Sequence, residues 1–177
     1  NYFVLATTGG GSQLRGPVWG EFDHVAWITM TDAGPVMANL LLSGIWDENV
    51  RTEDMFVAMM NVLSGKTVTG GSVIGDSLQF TGTKTKVRVE NTADVPMALQ
   101  GSFRPHSPLK PGPEKLEATI PPNSIEWLEV DLQVDASISI DRIEPLHTDW
   151  KATYQFPRHE VVEISGTHPI QVDATFP

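Results

Sequence analysis

From residue 84 onward the chain repeatedly alternates apolar and polar positions. Thr85, Val87 and Val89 alternate with Lys84, Lys86, Arg88 and Glu90, and Met97, Leu99 and Phe103 alternate with Ala98, Gln100 and Ser102. Leu116, Ala118 and Ile120 interleave with Lys115, Glu117 and Thr119. Trp150, Ala152, Tyr154 and Phe156 interleave with Asp149, Lys151, Thr153 and Gln155, and Ile170, Val172, Ala174 and Phe176 close the chain in the same way. A period of two with one apolar face predicts strands buried on one side, which a two-sheet antiparallel sandwich provides. One segment breaks the rhythm. Ile125 and Trp127 share a parity that Leu128, Val130, Leu132 and Val134 do not, and a bulge near Trp127 is predicted to reconcile them.

The first 65 residues follow a different pattern. Val36, Met37, Ala38, Asn39, Leu40, Leu41 and Leu42 form a nearly continuous apolar run, the pattern of a strand covered on both faces. Residues 21–30 and the Gly34-Pro35 turn predict a strand hairpin leading into it. A helix is predicted over 52–64, with Thr52 as N-cap and Glu53 and Asp54 against the positive end of the helix dipole. Met55, Phe56, Met59, Met60 and Leu63 mark its expected apolar stripe, and Gly65 is placed to end it. The expected organisation is therefore mainly β: a small α/β region at 1–65 with one clear helix, then a β-sandwich at 66–177 beginning in the cluster of Gly65, Gly70 and Gly71. The chain opens directly on a strand-like Tyr2, Phe3, Val4 and Leu5, and the α/β region has few strands for its buried one to pair with. The expectation is a piece of a longer protein.

Asn91-Thr92-Ala93-Asp94-Val95-Pro96 lies between two strands whose inward residues are already assigned. Asn and Asp bond their own backbone in turns and Pro96 fixes the start of the next strand, so the stretch is expected to be a corner rather than a site. About eight strands in roughly 110 residues is the size of an immunoglobulin-like domain. The corner Val87-Arg88-Val89-Glu90-Asn91-Thr92-Ala93-Asp94-Val95-Pro96, followed by Ile120-Pro121-Pro122-Asn123-Ser124 and an alternating strand, resembles immunoglobulin-like accessory modules of bacterial secreted proteins. The run Pro35 to Leu42, then Trp46-Asp47 and the predicted helix, is similar to the end of the amidotransferase-like helper domain of some large glycoside hydrolases. These resemblances imply an immunoglobulin-like antiparallel β-sandwich in an accessory role, an extracellular or periplasmic location, and association with other domains or chains of a larger protein. No catalytic residue is carried over from either.

Charge narrows the partners. With 22 acidic against 12 basic residues the net charge is −10, which disfavours nucleic acid and anionic membrane surfaces. Cysteine is absent, so disulfides and thiolate chemistry are excluded. No apolar run approaches the roughly 20 residues of a membrane span. His24, His106, His147, His159 and His168 are scattered without metal-ligand spacing, and no cofactor motif is present. Thr7-Thr8-Gly9-Gly10-Gly11-Ser12 lacks the lysine and helix pattern of a phosphate loop.

Two constellations remain. Trp46, Asp47, Glu48 and Asn49 sit between a strand and a helix, where an indole could stack on a sugar ring while the polar neighbours bond its hydroxyls. Glu21 and Asp23 would share one strand face, and a close pair of carboxyls can divide acid and base roles. Three readings follow: a non-catalytic accessory portion of a carbohydrate-active secreted protein with weak oligo- or polysaccharide contact; a glycoside-hydrolase-type enzyme using the Glu21/Asp23 and Asp47/Glu48 carboxylates; or an adhesive or structural β-sandwich of a surface or viral assembly.

Overall fold

The computed structural model describes residues 13–75 and 78–174. The expected opening strand, the glycine run at residues 9–11 and Phe176 lie outside the described residues. Among the described residues the protein is mainly β, built from several sheets, mostly antiparallel, and one α-helix. It divides into two compact units, Asn1–Met59 and Met60–Pro177.

In the first unit, β1 (His24–Thr31), β2 (Gly34–Leu41) and β3 (Gly44–Trp46) form an antiparallel meander in the order β1-β2-β3. The hairpin register runs from Thr31 opposite Gly34 to His24 opposite Leu41. Gly34 turns the corner at φ 117°, a value that side-chain-bearing residues rarely adopt, and the Thr31 hydroxyl donates to its carbonyl at 2.7 Å. The strand starts at His24, not at Glu21. The apolar run of β2 is a strand, but it is not covered on both faces as its letters suggested: Val36 is more than half exposed, Leu42 just beyond it is fully exposed, and the one buried residue of β2 is the polar Asn39. A run of apolar letters records what a strand could bury, and three short strands supply little to bury it.

The helix α1 (Glu53–Leu63) forms where its caps place it. The Met55 amide donates to the Thr52 hydroxyl at 3.3 Å, and Glu53 and Asp54 occupy the first turn. Gly65 ends it at φ 73°. Its amide reaches the Val62 carbonyl and that of Lys66 the Asn61 carbonyl, the paired bonds of a Schellman cap. The buried stripe is Met55, Ala58, Met59 and Val62, whereas Phe56, Met60 and Leu63 are about half exposed. The stripe is thus rotated from the expected one, because Ala58 and Val62 hold the i+3 and i+7 positions that larger side chains beside them had seemed to claim. The division between the two units falls within this helix.

The second unit adds β4 (Val68–Gly70), β5 (Val73–Gly75), β6 (Gln79–Phe80), β7 (Thr83–Asn91), β8 (Met97–Phe103) and β9 (Lys110–Gly112). These are followed by β10 (Lys115–Ile120), β11 (Ser124–Gln133), β12 (Ile138–Ser139), β13 (Leu146–Tyr154), β14 (Val162–Ile170) and β15 (Val172–Ala174). Eight of them make two four-stranded antiparallel sheets, β10-β8-β13-β14 and β4-β7-β11-β9. The rest pair as β6 with β12 and, in parallel, β5 with β15. The inward residues of both sheets make the core: Val87, Val89, Val130 and Leu132 from one, Met97, Leu99, Leu116, Ile120, Leu146, Trp150, Ala152 and Tyr154 from the other. β14 tolerates Pro169 because it is an edge strand, where a missing N–H removes no interior ladder bond.

No bulge occurs at Trp127. The β11–β7 register is continuous from Ser124 opposite Asn91 to Leu132 opposite Thr83. Leu128, Val130 and Leu132 therefore face inward with Val87 and Thr85, while Ile125 and Trp127 face outward at 46% and 57% exposure. The parity conflict in the sequence is real, and it is resolved by exposing an indole rather than by bending a strand.

The corner at residues 91–96 is held by the Asn91 side chain, which is fully buried. Its amide nitrogen donates to the carbonyls of Val95, Ile120 and Pro121 at 2.9, 3.1 and 2.9 Å, and its oxygen accepts from the Ala93 amide at 3.0 Å. The Asn123 amide reaches back to the Ala93 carbonyl, and the Asn61 side chain donates to the Thr92 hydroxyl. One side chain thus ties the β7–β8 corner to the β10–β11 turn.

Candidate functional site

Glu21 is placed by a tight turn, not by a strand. A bridge pairs Gly16 with Glu21, and the Gly16 amide donates to the Glu21 carbonyl at 2.9 Å. This brings Arg15 alongside, with Nε and Nη2 donating to the two carboxylate oxygens at 3.0 and 2.5 Å. The Arg15 guanidinium also lies 4.5 Å from the centre of the Trp19 ring. Its hydrogen bonds hold the Glu21 carboxyl well below the usual range, at about 2. A carboxylate so firmly ionised, with both oxygens engaged, is unsuited to donate a proton near neutral pH. Asp23 follows as an exposed residue just before β1. Because the pair depresses the folded-state value, Glu21 contributes stability above its unfolded pKa and loses that contribution as pH falls toward 2. A carboxyl NMR titration should find Glu21 ionised down to about pH 2, and Arg15→Ala should return it toward its ordinary range. An unchanged titration in Arg15→Ala would show that the pair does not set it.

Trp46, Asp47, Glu48 and Asn49 occupy the end of β3 and the turn after it. Trp46 is half-buried and lies opposite Asn39 in the sheet; Asp47, Glu48 and Asn49 are exposed. The Asn39 amide donates to the Asp47 carbonyl at 2.8 Å, and the Asp47 carboxylate accepts from the Asn49 backbone at 2.9 Å, an Asx turn. Asp47 thus shapes the turn, while the Glu48 and Asn49 side chains project from it.

Two of the surface depressions of the second unit bear on function, and the sequence did not single them out. One, of about 630 Å³, lies on the outer side of β10-β8-β13-β14 and is lined by Gln100, Ser102, Glu117, Asp149, Lys151 and Thr167. Its charges are largely committed to one another. Arg104 grips Asp149 through two bonds of 2.9 and 2.7 Å, the Thr167 hydroxyl donates to the same carboxylate, and Lys151 pairs with Glu163. Arg104 first, and Thr167 after it, hold the Asp149 carboxyl at about 2.

The other depression, of about 600 Å³, lies where β10 and β11 run beside each other. Trp127 and Glu129 line it from β11, Glu114, Lys115 and Glu117 line it from β10 and the residue before it, and the inward-facing Leu116 and Leu128 border it. It exists because β9 pairs only with Asp131, Leu132 and Gln133, so the earlier part of β11 has no strand neighbour on that side among the described residues. Lys84 donates to Glu129 at 2.7 Å and lowers its pKa, leaving it a fixed acceptor on the rim. The signal that could have found this groove was already in the sequence: the parity break at Ile125 and Trp127, read as an outward aromatic.

Among the described residues no three His, Asp or Glu side chains are grouped so as to hold a metal ion, and no helix is long and apolar enough to cross a membrane. No family model and no curated protein matches the chain.

Proposed function

We propose that the chain is a non-catalytic accessory portion of a larger carbohydrate-active secreted protein, making packing contacts and weak contact with glycan. One observation carries the reading. The β1-β2-β3 sheet presents Val25, Trp27, Val36 and Ile45 on a single face, each more than half exposed and none charged. Contiguous apolar surface of this kind marks a surface that another body covers. The Glu21 carboxylate, held by Arg15, supports a structural use of that residue over an acid-base one. Trp46, with Asp47, Glu48 and Asn49 beside it, is the glycan contact that the first unit offers.

The reading is tested on the chain by itself. It should bind an apolar reporter dye and self-associate as concentration rises, and Trp27→Lys with Ile45→Lys should abolish both while leaving the thermal midpoint nearly unchanged. A wild-type chain that stays monomeric and binds no dye would remove the argument for a covered face. Soluble oligosaccharides should bind in the millimolar to micromolar range, about −4 to −8 kcal/mol, without being cleaved. Release of shortened products would replace the accessory reading with an enzymatic one.

A further inference from the structure

We infer that the groove between β10 and β11 is a binding site for a short, uncharged oligosaccharide, with Trp127 as its stacking platform. This rests on the glycan-contacting reading above and places the contact in the sandwich, away from Trp46. Trp127 is 57% exposed on a strand whose other outward residues nearby are Ile125, Glu129 and Asp131, so the sandwich gains little burial from it. Its cross-strand neighbour Arg88 is paired with Glu90 at 2.9 Å, which turns that guanidinium to its own strand. What remains is a flat apolar plate at the side of a concavity of about 600 Å³, within the range of about 300–1,000 Å³ typical of small-ligand sites.

The rest of the lining selects the occupant. A pyranose ring has an apolar C–H face and an equatorial belt of hydroxyls. The first matches the exposed face of the Trp127 indole. The second matches carboxylates, which accept hydroxyl hydrogens in charge-assisted bonds, together with an ammonium that donates. Glu117 and Glu129 face this space as acceptors and Lys115 as donor. With Glu129 paired to Lys84, Glu114 and Glu117 against Lys115 leave the groove weakly negative. The chain as a whole carries −10, so uronate or sulfated glycans are repelled. A peptide adding itself as a strand would need a series of alternating side-chain pockets, whereas the groove offers one aromatic plate bordered by acceptors.

The test uses the whole chain in amide- and indole-resolved NMR titrations against neutral glucan, xylan and N-acetylglucosamine oligosaccharides, an oligogalacturonate and a lysine-rich peptide. At least one neutral oligosaccharide should shift the Trp127 indole together with the amides of residues 115–117 and 127–129. Trp127→Ala should weaken that binding at least tenfold, Trp127→Tyr should restore part of it, Glu117→Gln should weaken it several-fold, and Trp46→Ala should leave it unchanged. Because Trp127 is exposed, the variants should retain the dispersed spectrum of the folded chain. Binding that survives Trp127→Ala and disappears in Trp46→Ala would overturn the groove while keeping the glycan reading. Tighter binding of oligogalacturonate or of the peptide would overturn the assignment to an uncharged sugar. No shift with any neutral oligosaccharide would overturn the site and the glycan reading together, leaving the packing role of the first unit to stand on its dye-binding test.

Discussion

Asn91→Ala should lower stability by about 3–4 kcal/mol and Asn91→Asp by at least as much at neutral pH, although neither change removes an apolar core side chain or a charged pair. The alanine variant leaves the carbonyls of Val95, Ile120 and Pro121 without their shared donor and the Ala93 amide without its acceptor, all at a residue of zero exposure. Each buried polar group left unpaired costs about 1–3 kcal/mol, and partial relaxation of a corner keeps the sum below the simple total. Aspartate has the same shape but turns a donor into an acceptor that faces three other acceptors. Burial and those carbonyls raise its folded-state pKa above the unfolded value of about 3.9. The native state then holds the proton more tightly, so the deficit should grow as pH rises above about 4 and shrink on acidification. Denaturant unfolding at several pH values reads both effects. A loss below about 1 kcal/mol in the alanine variant, or a pH-independent one in the aspartate variant, would mean that the corner holds without this side chain.

That corner was legible because its chemistry is local: Asn, Asp and Pro within six residues specify a turn whatever surrounds it. The sandwich strands were legible for a related reason, since a sheet with one wet face writes its geometry into every second letter. β14 was less so. Gly166 and His168 interrupt its apolar face, and its place beside β13 is visible only in the register that sets Trp150 opposite Gly166. The small pairs β5–β15 and β6–β12 join residues far apart in the chain, with two or three residues a side and too little period to read.

Of the candidate site residues, the sequence located the Trp46 loop between a strand and a helix, but it could not show that Asp47 is engaged in shaping the turn. Nor could it show that Arg15, six residues away, occupies Glu21. The Trp127 groove depends on where β9 stops, a length set by pairing and not by periodicity. Misreading Trp127 as inward came from treating an aromatic as core by default. The exception lay in its parity, and parity was the stronger signal.

The second large effect belongs to Trp150, which faces the sandwich core. Trp150→Ala should cost about 3–5 kcal/mol, toward the upper end, because the site is poorly able to collapse. Trp150 is nearly buried at the centre of β13, and the residues beside it in the neighbouring strands are Gly101 and Gly166. Neither has a side chain that could move into the vacated space. The indole lies over Gly166 so closely that a Cβ there would sit 2.4 Å from Cζ2 and 2.7 Å from Cε2. Gly166→Ala should therefore destabilise by about 1–3 kcal/mol through overpacking, since the obstacle is a rigid ring and not the tip of a flexible chain. The two changes must couple. In Trp150→Ala the ring is gone, so Gly166→Ala should then cost almost nothing or recover some stability by filling part of the cavity. A double-mutant cycle followed by chemical unfolding should return a coupling of about 1–3 kcal/mol. Additive losses would mean that the ring does not lie over Gly166 in solution, and a Trp150→Ala loss below about 1 kcal/mol would place the indole outside the core altogether.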